Sequence, residues 1–149
     1  MIKFLPSKRV EKDTGLNFDL LGDIFSEIFN RGFKKNLTFW CKVYKSRDEK
    51  TSTLERLDEK CLYQINLDVD GNRRYIISSI LHELRHAFQQ TIFEYEVVAR
   101  FSSYRAYYNS TEEKDARKQE KLTSEILKIY DNYEKAQEKF KRFNLKELG

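Results

Sequence analysis

The chain is poor in residues that break or staple secondary structure. Among 149 residues there are one Pro, five Gly and two Cys. So little Gly and Pro argues against a linker or a turn-rich sandwich. Cys41 and Cys61 are too few for a disulfide framework, and a reducing compartment would keep both as thiols. Long hydrophobic runs are missing as well. The longest near-apolar stretch, residues 75–81, falls far short of the roughly 20 residues that cross a bilayer. The start, Met1 to Arg9, lacks the apolar segment of a secretory signal. A cytoplasmic protein with no membrane partner is the expectation.

Charge of one sign is not in large excess either. There are 28 basic and 24 acidic residues, a net charge of +4, and most of the excess falls in residues 1–60. Lys34-Lys35 and Arg73-Arg74 are short pairs rather than a stripe. The expectation is a solvated surface of mixed charge, not a nucleic-acid-binding face. A nucleic-acid role would need basic groups to converge on one side.

What the chain does have is apolar content of 40% and aromatic content of 14%, enough for the core of one domain spanning residues 1–149. Residues 2–5 read as a short strand. Phe18, Leu21, Phe25, Ile28 and Phe29 recur at helical steps over residues 18–31, with Asn17 as N-cap and Gly32 as stop. Residues 36–45 and 60–69 alternate apolar and polar, which predicts two strands. With the polar stretch 46–58 read as a turn, these two pair antiparallel. From Arg73 to about Phe93 the period becomes helical and the apolar face broad, predicting a buried helix. A second helix is predicted over 95–108. A third, long one is predicted over 112–143, where Leu122, Ile126, Ile129, Tyr133, Ala136, Phe140 and Phe143 follow alternating steps of four and three. That seam packs along its own domain or pairs with a second copy as a homodimer.

The two histidines, the only ones in the chain, stand four residues apart in His82-Glu83-Leu84-Arg85-His86. On a helix, residues i and i+4 share a face, so two imidazoles can grip one divalent ion, and zinc suits nitrogen donors. Glu83 lies one residue round the helix, within reach of a water at such an ion, where a carboxylate can act as general base. A third ligand must then be a carboxylate or thiolate. Glu94 and Glu96 follow the motif too closely for the chain to return. Glu113 leads, because the intervening residues allow a turn and a packed helix. Its competing role is in a capping box, Ser110-Thr111-Glu112-Glu113. Glu112 and Asp115 are the alternatives, and Cys61 suits a strand core better.

The runs Ile80 to Gln89 and Glu113-Lys114-Asp115-Ala116-Arg117 resemble small gluzincin-type metallopeptidases, closest to the minigluzincins and the ImmA/IrrE-type domains of bacteria and phages. The resemblance covers roughly residues 60–120. It implies an α+β, zincin-like fold: a small antiparallel sheet packed on a buried helix that bears the histidine motif, with further helices C-terminal to it. It implies a zinc-dependent hydrolase acting on a protein or peptide substrate, with His82, His86 and Glu113 as ligands and Glu83 as general base. Four residues after the ligand Glu, where the family often has an Asp or Asn supporting a histidine, this chain has Arg117. An oxyanion donor would come from Tyr104, Tyr107 or Tyr108, with Tyr108 the choice, or from Arg105. The alternative function is a zinc-binding interaction protein of the same fold with weak or no catalysis.

Overall fold

The alternating stretches do form strands, but side by side in the same direction. The structure is a computed structural model and describes residues 1–30, 38–47, 51–58, 61–91 and 110–148. Its strands are β1 (Ile2–Pro6), β2 (Phe39–Lys45), β3 (Thr53–Arg56) and β4 (Leu62–Leu67), in the order β1-β2-β4-β3. β2 runs parallel to both β1 and β4, and β3 alone is antiparallel, against β4. The sheet is therefore mixed, and the antiparallel pairing expected for residues 36–45 and 60–69 is wrong. The cause lies in residues 46–58, which are more than a turn. They carry β3, whose hairpin with β4 is closed by Leu57 N–H donating to Leu62 O (2.9 Å) and Leu62 N–H donating to Asp58 Oδ1 (3.1 Å). That hairpin takes one edge of β4 and leaves the other to β2. The strand is short and its side chains are mostly exposed, so it has no apolar alternation to betray it.

Two helices follow β1. α1 (Lys8–Thr14) was not anticipated. Ser7 Oγ accepts from Val10 N–H at its start, and Gly15 ends it in the left-handed region at φ 63°. α2 (Phe18–Asn30) begins where expected, with Asn17 Oδ1 accepting from Leu20 N–H (3.0 Å). It lies close on β1: a Cβ at Gly22 would stand 2.9 Å from Ile2 O, and Ser26 Oγ accepts from Ile2 N–H (2.7 Å). Gly32, the expected stop, lies outside the described residues, as does the helix expected over 95–108.

α3 (Arg73–Thr91) is the predicted buried helix. The single helix expected over 112–143 is instead α4 (Thr111–Gln119), a 3-10 turn (Glu120–Leu122) and α5 (Thr123–Leu148). Thr123 Oγ1 donates to Glu120 O (2.6 Å) and closes the tight turn that separates the two helices. The face α5 buries is also rotated from the predicted seam. Thr123, Ile126 and Tyr130 are buried, whereas Tyr133 is 55% exposed and Ala136 is exposed.

One hydrophobic cluster joins these elements. The inward side chains of β1, β2 and β4 meet Leu21 and Phe25 of α2, Ile77, Ile80, Leu81, Leu84 and Phe88 of α3, and Ile126 and Tyr130 of α5. Phe88 stands edge-on to Phe29 and Phe39, with centroids 5.1 and 5.0 Å apart. Among the described residues, no helix is long and apolar enough to cross a membrane.

Tyr130 couples α5 to the rest. Its ring is fully buried under the Arg73 guanidinium, and its hydroxyl accepts from Asn17 N–H (2.8 Å) at the head of α2. We expect Tyr130→Phe to cost about 1–3 kcal/mol, because a backbone donor is left unpaired. Tyr130→Ala should cost about 3–5 kcal/mol. Denaturant unfolding measures both, and equal stability of Tyr130→Phe and wild type would remove the proposed tie.

Candidate metal centre

The core fixes how α3 is turned. Leu81, Leu84 and Phe88 are fully buried, so the stripe carrying His82 and His86 faces α4 instead of the sheet. α4 starts at Ser110, whose hydroxyl accepts from Glu113 N–H (3.3 Å). This is the cap half of the expected capping box. It uses the backbone of Glu113 and leaves the carboxylate against the imidazoles. Glu113 Oε2 is 3.1 Å from His82 Nε2, Glu113 Oε1 is 2.8 Å from His86 Nε2, and the two Nε2 atoms are 3.2 Å apart.

His82, His86 and Glu113 thus form a group that could hold a metal ion. Donors at about 2.0–2.1 Å from a tetrahedral zinc stand about 3.3 Å from one another. The separation of the two imidazole nitrogens is close to such an edge, and Glu113 sets one carboxylate oxygen near each of them, so the residues fit the ion. Of the alternatives, Asp115 faces elsewhere and Cys61 is outside the group. The side chain of Glu112, and Glu94 and Glu96 entirely, lie outside the described residues.

A second ring of contacts orients the donors. Glu120 Oε1 lies 2.7 Å from His82 Nδ1, and Gln89 Oε1 lies 2.8 Å from His86 Nδ1. Each imidazole is therefore anchored through the nitrogen that faces away from the convergence point, the arrangement that fixes tautomer and ring angle in metal sites. Asp115 holds the next link. It accepts from Gln89 Nε2 (2.8 Å) and from Arg85 through Nε (2.8 Å) and Nη2 (3.2 Å). The Arg85–Asp115 pair also straps α4 to α3. Neither Glu120 nor Gln89 was singled out from the sequence, although each had a signal. Glu120 is seven residues, two helical turns, beyond Glu113, and Gln89 is three beyond His86.

The site shifts its own proton affinities. Burial works against the imidazolium of His82, but Glu113, Glu83 and Glu120 outweigh it and hold His82 up at about 9. His86 moves the same way, with Glu113 and Glu83 overcoming burial. Burial pushes the Glu83 carboxyl up to about 7, the nearby imidazoles counter this, and Glu113 adds to it. Burial also acts to raise Asp115, but hydrogen bonds from Arg85 and Gln89 hold it below the ordinary range.

An open cleft of about 370 Å³ borders this group. His82, Glu83, Tyr75 and Ser79 of α3 line it, with Glu120 and, just before β3, Thr51 and Ser52. Tyr75 was not foreseen either. It lies seven residues before His82, and its hydroxyl donates to Asp68 Oδ2 (3.1 Å). Tyr104, Arg105, Tyr107 and Tyr108 lie outside the described residues. Comparison with protein-family models, curated proteins and solved structures found no match.

Two outcomes are expected. Asp115→Ala should lower zinc affinity about 10–100-fold without removing a ligand, because Gln89 and α4 lose their anchor; competition with a chromogenic chelator measures it, and an unchanged affinity contradicts the relay. A ligating imidazole must be unprotonated. With His82 at about 9, zinc uptake at pH 7 should expel a proton, and affinity should rise with pH up to about that value. Calorimetry in buffers of differing ionisation enthalpy should show the release, and binding without release contradicts it.

Proposed function

We propose that the chain is a zinc-dependent metallopeptidase of the small gluzincin type, with His82, His86 and Glu113 as ligands. One observation supports this above the others: three mutually adjacent donors stand beside a buried carboxylate, Glu83, that opens onto a cleft. The resemblance of the segments around His82–His86 and Glu113 to that family points the same way.

Zinc, when bound, would supply a Lewis acid for a peptide carbonyl and acidify a water. The remaining work falls to the chain's own groups. Glu83, whose carboxyl is raised to about 7 by burial, can take a proton at a carboxylate oxygen and return it to a leaving amine near neutral pH. Glu120 and Gln89 keep the imidazoles from turning. β3 offers the substrate a place to lie. Among the described residues it pairs only with β4, so its other edge can accept an extended peptide through main-chain hydrogen bonds. The residues just ahead of it, Thr51 and Ser52, border the same cleft as Glu83. Compared with a purely structural metal site, this arrangement keeps a functional carboxylate and open space beside three protein donors, the pattern of a catalytic centre.

The test is Glu83→Gln. The variant should retain about one zinc per chain yet lose at least about 100-fold in peptide hydrolysis, the usual scale for a general base. Loss of zinc in His86→Ala with retention in Glu83→Gln would complete the assignment. Undiminished hydrolysis by Glu83→Gln would dismiss Glu83 as base. Zinc retention with no hydrolysis by the wild type would favour an inactive zinc-binding interaction protein.

A further inference from the structure

Among the described residues, the side chains of β1, β2 and β4 are buried on one face of the sheet and exposed or half-buried on the other. On the other, the register sets Lys3 beside Trp40, Leu5 beside Lys42, and Tyr44 beside Asn66. Along β2 the outward side chains are therefore Trp40, Lys42 and Tyr44, an aromatic, a cation and an aromatic, each about 7 Å from the next. Trp40 is 43% exposed and Tyr44 is 42% exposed. Sheets built mainly of parallel strands ordinarily cover both faces, and large exposed side chains grouped on one surface mark a binding site.

At the Tyr44 end this face deepens into a groove of about 870 Å³. Tyr44, Gln64 and Asn66 line it, and Arg9 of α1, Lys45 at the end of β2 and Arg47 beyond it supply cations. Glu55 is the one carboxylate among the described residues lining it, and Asn66 Nδ2 donates to that carboxylate (3.2 Å). Five cations scattered over the first 47 residues of the chain thus gather along one open surface.

We propose that this face binds single-stranded nucleic acid, with bases stacked on Trp40 and Tyr44 and phosphates against Lys3, Lys42, Arg9 and Arg47. The pairing of chemistries selects the ligand. The cations alone would suit any polyanion, but an acidic peptide has no flat ring to lay on an indole and a phenol. A duplex hides the faces of its bases, whereas a single strand presents them, and stacking accepts every base. Two aromatics about 14 Å apart with a lysine between them match a strand whose phosphate backbone crosses Lys42. None of these side chains belongs to the metal centre, so the proposal stands or falls apart from the peptidase reading.

Trp40 is the only tryptophan in the chain, so its emission reports stacking directly. The full chain is titrated with a 15-nucleotide oligothymidylate at 50 mM salt, alongside a duplex of the same length and polyglutamate. We expect saturable quenching by the single strand. Its affinity should fall about 30-fold between 50 and 200 mM salt, as neutralising three to four phosphates requires. Tyr44→Ala should weaken binding at least about fivefold with the salt slope unchanged. Arg9→Glu with Arg47→Glu should weaken it and flatten the slope. All three positions are exposed, and far-UV circular dichroism checks that the variants fold. Absent quenching, indifference to these substitutions, or equal binding of the duplex would overturn the proposal. Polyglutamate binding as tightly without quenching would overturn it in favour of an acidic protein partner.

Discussion

Glu113 meets two imidazoles only because α3 and α4 are held in one relative position, and most of the molecule serves that constraint. The apolar side of α3 is sunk in the core through Leu81, Leu84 and Phe88, which fixes its rotation. The Arg85–Asp115 pair then clamps α4 against the opposite side. Its two hydrogen bonds are partly shielded, with side chains 15% and 20% exposed, a setting in which a bidentate pair is firmer than a surface ion pair. The Nε2 atoms of His82 and His86 stand 3.2 Å apart, with one Glu113 oxygen near each. Two imidazole nitrogens facing each other cannot both present a lone pair, or both a proton, without repulsion. A shared cation resolves that conflict, and so does the proton drawn in when His82 is raised to about 9.

The same residues that orient the donors also tune the neighbouring carboxylate. Glu83 is only 7% exposed and is surrounded by groups of both signs, so its proton affinity is set by burial rather than by one partner. A carboxyl near neutrality can act both as acceptor and as donor of a proton. In the proposed function the cleft beside it and the edge of β3 left open among the described residues would admit an extended substrate from the direction of Thr51 and Ser52. In the proposed function, then, a fold element that carries almost no apolar surface of its own serves recognition.

How much of this could be read from the residues depended on range. The histidine pair, Glu83, α2 and α3 follow from spacing within one element, and spacing is visible in a sequence. Glu113 required only the guess that a helix returns to face α3. The strand direction was misread because β3 shows no alternation, and without it two alternating runs joined by a polar stretch look like a hairpin. The break at Glu120 to Leu122 was hidden because the heptad-like pattern begins only at its last residue, and the buried face of α5 lies one position on from the expected seam, at Thr123 and Tyr130 instead of Leu122 and Ile129. Glu120 and Gln89 were overlooked because polar residues at helix surfaces are common, and only their partners distinguish them. The exposed sheet face was invisible for a related reason: Lys3 comes beside Trp40 only through strand register, and Arg9 comes to the same groove as Arg47 only through the fold.

The central claim is that the histidine pair and Glu113 close on one ion. X-ray absorption at the zinc edge of the loaded protein tests it most directly. The spectrum should show a shell of nitrogen and oxygen donors at about 2.0–2.1 Å, with the outer scattering of two imidazole rings and no sulfur. A sulfur shell near 2.3 Å, or the signature of fewer than two imidazoles, would place the ion elsewhere and contradict the account.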